Sequence, residues 1–184
     1  GERLDAVISR ELIENIFFKN SPLHDGALII KHHRIMAARC ILPVSDREDI
    51  SPDLIAAVID HEDAKFYEHR GFDWDAISYA YEQNQRYGRL VCGGSTISQQ
   101  TAKNIFTFHS RTYLRKAVEA YFTVLIEFLW GKERIMEVYL NMIEMGDGVF
   151  GAEAAANYYF DTSASGINHY DADYIAWLLP DPRR

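Results

Sequence analysis

Residues 51–74 read SPDLIAAVIDHEDAKFYEHRGFDW, an apolar run followed at once by carboxylates, a lysine, two histidines and aromatic side chains. Leu54, Val58, Glu62 and Phe66 recur at a spacing of four, the period of one helix face, which predicts a helix over 53–68. Glu62 takes a slot on what is otherwise the apolar stripe. Buried there, a carboxylate can accept a proton from a hydroxyl as a general base, whereas a fully solvated one is a weak base at pH 7. Also open is a helix-edge glutamate paired with Lys65 or His69.

The helical texture continues C-terminally. Apolar periodicity between short Gly- and Ser-containing breaks predicts helices over 75–87, 96–106, 112–130, 132–145, 151–159 and 171–179. N-terminally, apolar residues at 4, 7, 8, 12, 16 and 17 predict one more amphipathic helix, and NSPLHDG a turn. ALIIK and RIMAARCILPV, on either side of HHR, then predict a strand pair ending near Pro43, the only sheet expected. The texture changes between 45 and 55, dividing the chain into a fragment over 1–48 and a domain over 49–184. The expected fold class is mainly α, preceded by a short α/β fragment of a helix and a strand pair.

The 184 residues and 48% hydrophobic content suffice for the core of one domain, or of one domain with an appendage. A formal net charge of −8 gives no general reason to expect nucleic acid as a partner. Cys40 and Cys92 form no CxxC and no zinc-ligand spacing, so neither a disulfide framework nor a structural metal is implied. No apolar run approaches the ~20 residues of a membrane-spanning helix, and GERLDAVISRELIENIFF is too charged for a signal peptide. No export signal or anchor is expected in the chain as written.

GGSTISQQTAKN (93–104) places two glycines and Ser95, read as an N-cap, before a helix carrying Gln99, Gln100 and Lys103. Backbone N–H groups, the helix dipole and Lys103 could there receive a phosphate, although no GK[ST] follows the glycines as in a nucleotide P-loop. A capped helix with a polar face accounts for the segment equally well. RTYLRKAVEAYFTVLIEFLW (111–130) is apolar nearly all round except for Arg115, Glu119, Thr123 and Glu127 at spacing four, with Lys116 alongside. That line either faces water, or lines a cleft where Arg115 and Lys116 neutralise an anionic leaving group while Glu119 orients them or a divalent metal. For the apolar remainder, packed core is expected ahead of contact with a lipid surface.

Taken jointly, EDAKFYEHRG, GGSTISQQTAKN, RKAVE, KERIMEVYLN and GAEAAANYYF resemble, in order, the five motifs of the peptidoglycan glycosyltransferases of family 51, of the monofunctional biosynthetic type, over roughly residues 50–184. The resemblance implies a lysozyme-like, bilobal domain that polymerises lipid II into glycan strands. Glu62 would deprotonate the acceptor 4-hydroxyl, which attacks C1 of the donor sugar with inversion and release of undecaprenyl diphosphate. Glu119 would be the second essential glutamate and a possible ligand of Mg or Mn. Ser95, Thr96, Gln100, Lys103, Arg115 and Lys116 would contact the diphosphate or substrate. His69, Gly71, Lys132, Glu133, Arg134, Asn141, Gly151 and Glu153 would hold the cleft in shape. Implied partners are lipid II, the growing strand, the membrane surface and other cell-wall synthesis proteins, at the outer face of the bacterial cytoplasmic membrane. The family normally begins with a membrane helix and continues beyond the equivalent of LLPDPRR, and this sequence has neither.

Residues 1–48 resemble part of a diadenylate cyclase domain, with its DGA motif at Asp25, Gly26 and Ala27. In that family the aspartate binds a divalent metal. The partner RHR motif, due soon after LPVSD, is replaced by SPDLIAAVIDHEDAKF, so no cyclase activity is expected and Asp25 reads as a turn residue before glycine. One family uses cytoplasmic ATP and the other acts outside the membrane, which implies a chimeric chain. The rival expectations are a cyclase remnant and a folded but inactive lipid- or glycan-binding protein.

Overall fold

The computed structural model describes residues 45–107 and 113–182. The helix expected in residues 4–17, the strand pair of 27–44 and Asp25 lie outside the described residues.

Helix α1, Pro52–Glu62, begins where the Ser51 hydroxyl accepts the Asp53 N–H at 3.3 Å and Pro52 fills a first-turn position whose N–H has no helical partner. It stops short of the expected 68. Phe66 keeps the spacing of four yet reaches the core, fully buried, from a run of turns. Asp63 ends the helix, and its carboxylate bonds to later parts of the chain.

Helix α2, Trp74–Tyr87, is capped by Asp73, whose Oδ1 accepts the Ala76 N–H at 2.9 Å. Then follow α3, Ile97–Phe106; α4, Tyr113–Leu129; and α5, Gly131–Met142. The helix expected over 132–145 ends early, because Glu144–Gly146 (β1) pairs antiparallel with Val149–Phe150 (β2). The missed signal is Asp147–Gly148, a dipeptide suited to a tight hairpin, with Gly148 at φ +75°. Helices α6, Ala152–Phe160, and α7, His169–Leu178, complete the described fold.

The domain is mainly α with one small hairpin, consistent with the lysozyme-like helical architecture expected. Helix α1 packs on α7, and α3 packs on α4 and α5. Leu54, Val58, Phe66, Ile97, Ile126, Met136, Tyr139 and Ile175 belong to one buried cluster.

Helix α4 reverses an expectation. Its buried residues are Glu119, Thr123 and Ile126, so the polar line faces inward. Leu114, Tyr121, Val124 and Phe128, expected as packed core, are exposed, Phe128 at 85%. The inversion follows from what the line meets: Ser98 and Lys132 bond to Glu127, and Gly71 lies against Thr123. A polar line buried with partners is cheaper than one buried without them.

Candidate active site

Glu62 is the last residue of α1 and sits half-buried on the wall of a cleft of about 430 Å³, shared with Asp63, Lys65, Asp73, Tyr79, Ser95 and Thr96. Its Oε2 accepts a hydrogen bond from Gln100 Nε2 at 2.6 Å. The helix-edge pairings are not formed. Lys65 bonds to Asp75 at 2.8 Å, a contact that holds the lysine above its ordinary pKa and the aspartate below its own. His69 turns to Asp63. The Gln100 Oε1 accepts from the Tyr139 hydroxyl at 3.3 Å. Burial, and then the charges of Glu62 and Asp63, push that phenol well above its usual range, so it remains a donor.

Behind Glu62 runs a polar network. Asp63 Oδ1 and Oδ2 lie 2.9 and 3.0 Å from His69 Nε2, and Oδ2 accepts the Ile97 N–H at 2.9 Å. Because the Gly71 N–H donates to His69 Nδ1 at 3.1 Å, the ring proton belongs on Nε2, facing Asp63. Lys132 Nζ lies 3.5 Å from the same Nδ1, donates to Glu127 at 2.6 Å and stands 4.5 Å over the Phe66 ring. Ser98 Oγ donates to the same Glu127 oxygen at 2.5 Å. The network ties the turns after α1 to α3, α4 and α5.

The start of α3 corrects two expectations. Thr96, not Ser95, is the N-cap: its hydroxyl accepts the Gln99 N–H at 3.2 Å, and Gln99 Oε1 accepts the Thr96 N–H at 3.0 Å. The first-turn amides are therefore not an open phosphate cradle. The Ile97 N–H already holds an anion, the Asp63 carboxylate. Thr96 also donates to the Gly71 carbonyl at 2.7 Å, while Ser95 is exposed at the cleft. What α3 offers a ligand is its side, where Gln100 and Lys103 stand one turn apart. Lys103 is exposed and has no ion-pair partner among the described residues.

Glu119 is 2% exposed. Its Oε2 accepts from Arg115 at 2.9 Å, and its Oε1 accepts from Lys116. Neither these three residues nor Lys103 is on the cleft wall, which joins α3 through the Gln100 bond. A carboxylate with a cation on each oxygen does not suit a divalent metal, and among the described residues no group of three or more His, Cys, Asp or Glu side chains is arranged to hold one.

The remaining expected residues fall in several places. His69, Gly71 and Lys132 belong to the network behind Glu62. Asn141 clasps Ser45, accepting its N–H and donating to its carbonyl, both at 2.9 Å. Gly151 adopts φ +83°, and a Cβ there would come within 2.7 Å of the Asn141 carbonyl oxygen. Glu153 accepts the Ala164 N–H at 2.7 Å. Arg134 pairs with Glu137, and Glu133 with Arg47 at 2.5 Å on the surface. Asp63, Ser98 and Tyr139 were not singled out from the sequence. The signal that could have found them is motif membership, Asp63 in EDAKFYEHRG, Ser98 in GGSTISQQTAKN and Tyr139 in KERIMEVYLN, since nothing in spacing marks them.

A family model described as "Transglycosylase" matches residues 36–184, and one described as "DisA bacterial checkpoint controller nucleotide-binding" matches residues 1–54. A biosynthetic peptidoglycan transglycosylase of Caulobacter vibrioides is 56% identical over 135 residues, covering 73% of this chain and 58% of the relative. The protein of that name from Bdellovibrio bacteriovorus is 55% identical over 137 residues, covering 74% and 54%. One from Acinetobacter baumannii is 47% identical over 138 residues, covering 75% and 61%. The chain thus spans between 54% and 61% of the length of these curated relatives. On the match across most of its length, the chain belongs to the transglycosylase family.

Proposed function

We propose that this chain polymerises lipid II into glycan strands. The acceptor 4-hydroxyl attacks C1 of the donor N-acetylmuramic acid, the C1–oxygen bond to undecaprenyl diphosphate breaks, and the configuration at C1 inverts. Glu62 takes the hydroxyl proton as general base. The observation that carries this reading is the Glu62 carboxylate on the cleft wall, with Oε2 tied to Gln100, and Oε1 is the oxygen proposed to take the proton. The diphosphate leaves as an anion and needs electrostatic stabilisation rather than protonation. Lys103 and the Arg115–Lys116 pair supply the cations, Glu119 holds that pair, and Ser95 offers a hydroxyl at the cleft.

The reaction is assigned to residues 49–184 and none of it to 1–48, and a join between unrelated coding segments is the proposed origin of that boundary. An unbroken genomic reading frame with the same junction in independent isolates would sink that origin. Names of the relatives support work at the cell envelope, and the outer face of the cytoplasmic membrane is the proposed location. Among the described residues no helix is long and apolar enough to cross a membrane. The exposed apolar side chains of α4 are the proposed contact with the lipid surface. The growing strand and other cell-wall synthesis proteins are the proposed further partners.

The test is polymerisation of labelled lipid II in detergent by the purified chain beside Glu62→Gln, with conversion of ATP to cyclic di-AMP followed in parallel. Glycan that disappears in the variant supports the reading. Binding of a diphosphate-mimicking inhibitor without glycan would favour an inactive binder instead.

A further inference from the structure

Tyr139 of α5 is 1% exposed, and the proposed reaction makes no use of it. Its hydroxyl donates to Gln100 Oε1 at 3.3 Å, and Gln100 Nε2 donates to Glu62 Oε2 at 2.6 Å. The two ends of a glutamine amide are nearly the same in shape, so its direction is set by what it meets. Turned around, Gln100 would set its carbonyl against the Glu62 carboxylate, two acceptors without a proton between them. The Tyr139 proton would then lack an acceptor among the described residues, in a site where an unpaired polar group is costly. Burial and the nearby negative charges keep Tyr139 a neutral phenol with that proton to give.

We propose that Tyr139 is a positioning residue for the general base, acting through Gln100 to hold the Glu62 carboxylate with Oε2 tied and Oε1 presented to the acceptor hydroxyl. The inference rests on the reading of Glu62 as the base. It also gives Gln100 a second task beside the proposed substrate contact: its amide fixes the rotamer of the proton acceptor. A buried phenol suits this role because its ring is locked by the core and its hydroxyl has little freedom to point elsewhere.

Tyr139→Phe keeps the ring and deletes only the donor. In lipid II polymerisation by the full chain, it is expected to lower kcat about three- to tenfold, the equivalent of one lost hydrogen bond, with KM unchanged within about twofold. In a Gln100→Ala background the same substitution is expected to have no further effect, because the residue acts only through that amide. Equal losses in both backgrounds, or an unchanged kcat, would overturn the proposal.

Should the wild-type chain make no glycan, or Glu62→Gln leave synthesis undiminished, the base assignment fails, and the relay is then decided by the Gln100 side-chain amide signals in ¹⁵N spectra. Asp60, His61, Asp63, Lys65, Asp73 and Asp75 line the same cleft. The response belonging to Glu62 is the part of the pH titration that Glu62→Gln removes. That response is expected to be large in the wild type and at least halved in Tyr139→Phe. An identical response in both overturns the relay whatever the activity.

Discussion

Asp63 Oδ2 accepts the Ile97 N–H at 2.9 Å, so the carboxylate that ends α1 also anchors the first turn of α3. Asp63→Ala would leave that amide and the His69 ring without a partner in buried surroundings. Each unsatisfied group costs about 1–3 kcal/mol, and a loss of roughly 2–5 kcal/mol in urea unfolding is expected. Asp63→Asn should lose less, since one oxygen can still accept from Ile97. An unchanged midpoint for the alanine variant would remove the anchor from the account.

Gly71 sits at φ +95°, and a Cβ there would lie 2.9 Å from Thr123 Cγ2 and 3.2 Å from Glu127 Cγ. Gly71→Ala is expected to destabilise by about 1–3 kcal/mol through the left-handed backbone and the clash together. Adding Thr123→Ser removes the nearer methyl and should restore part of the loss. If thermal melts of the single and double variants coincide, the contact with α4 is not what the glycine serves.

Arg115 and Lys116 share one buried carboxylate, so either can be replaced while Glu119 keeps a cation. Arg115→Met and Lys116→Met are each expected to cost under about 1.5 kcal/mol, and the double variant more than their sum. Lipid II polymerisation should fall about 10²-fold or more in the double variant, as when a preorganised stabilising group is lost. Additive stabilities would mean that Glu119 is held by something else.

Burial raises the pKa of Glu137 above its ordinary 4.5, against the opposing pull of Arg134. The folded state then binds more protons than the unfolded one, so this group's contribution to stability is present below about 4.5 and is lost as pH rises through the folded value. In Glu137→Gln that loss is absent. The melting temperature of the variant relative to wild type should therefore climb between pH 4 and pH 7 by about 1–4 °C, measured by differential scanning calorimetry. A flat difference would contradict the assignment.

The exposed face of α4 carries no core, so Leu114→Ser with Phe128→Ser should leave stability within about 0.5 kcal/mol per site. Association with phospholipid vesicles, measured by flotation, should weaken several-fold. A large loss of stability would return this face to the interior.

Much of the helical order was legible in the sequence. Apolar periodicity predicted each helix of the described region within a few residues, apart from the early ends of α1 and α5. Both errors arose where the period ran on through residues used differently: Phe66 enters the core from a turn, and Met145 from a hairpin. Propensity and spacing are local, and they do not register a carboxylate such as Asp63 being claimed by an amide far along the chain.

The sequence by itself determined which residues are candidates for the site, because five ordered motifs carry Glu62, Gln100, Lys103, Arg115, Lys116 and Glu119. Only the tertiary structure decided which groups remain available. It closed the N-terminus of α3 with Asp63 and Thr96, turned the polar line of α4 inward, and linked Tyr139 through Gln100 to Glu62. The physical reason is that a buried polar group must be satisfied by whatever the packing brings within hydrogen-bond distance. For Asp63 with Ile97, Ser98 with Glu127, Gln100 with Glu62 and Tyr139 with Gln100 those partners stand 29 to 39 residues apart, a relation that the packing of α1, α3, α4 and α5 creates and that no period along the sequence contains.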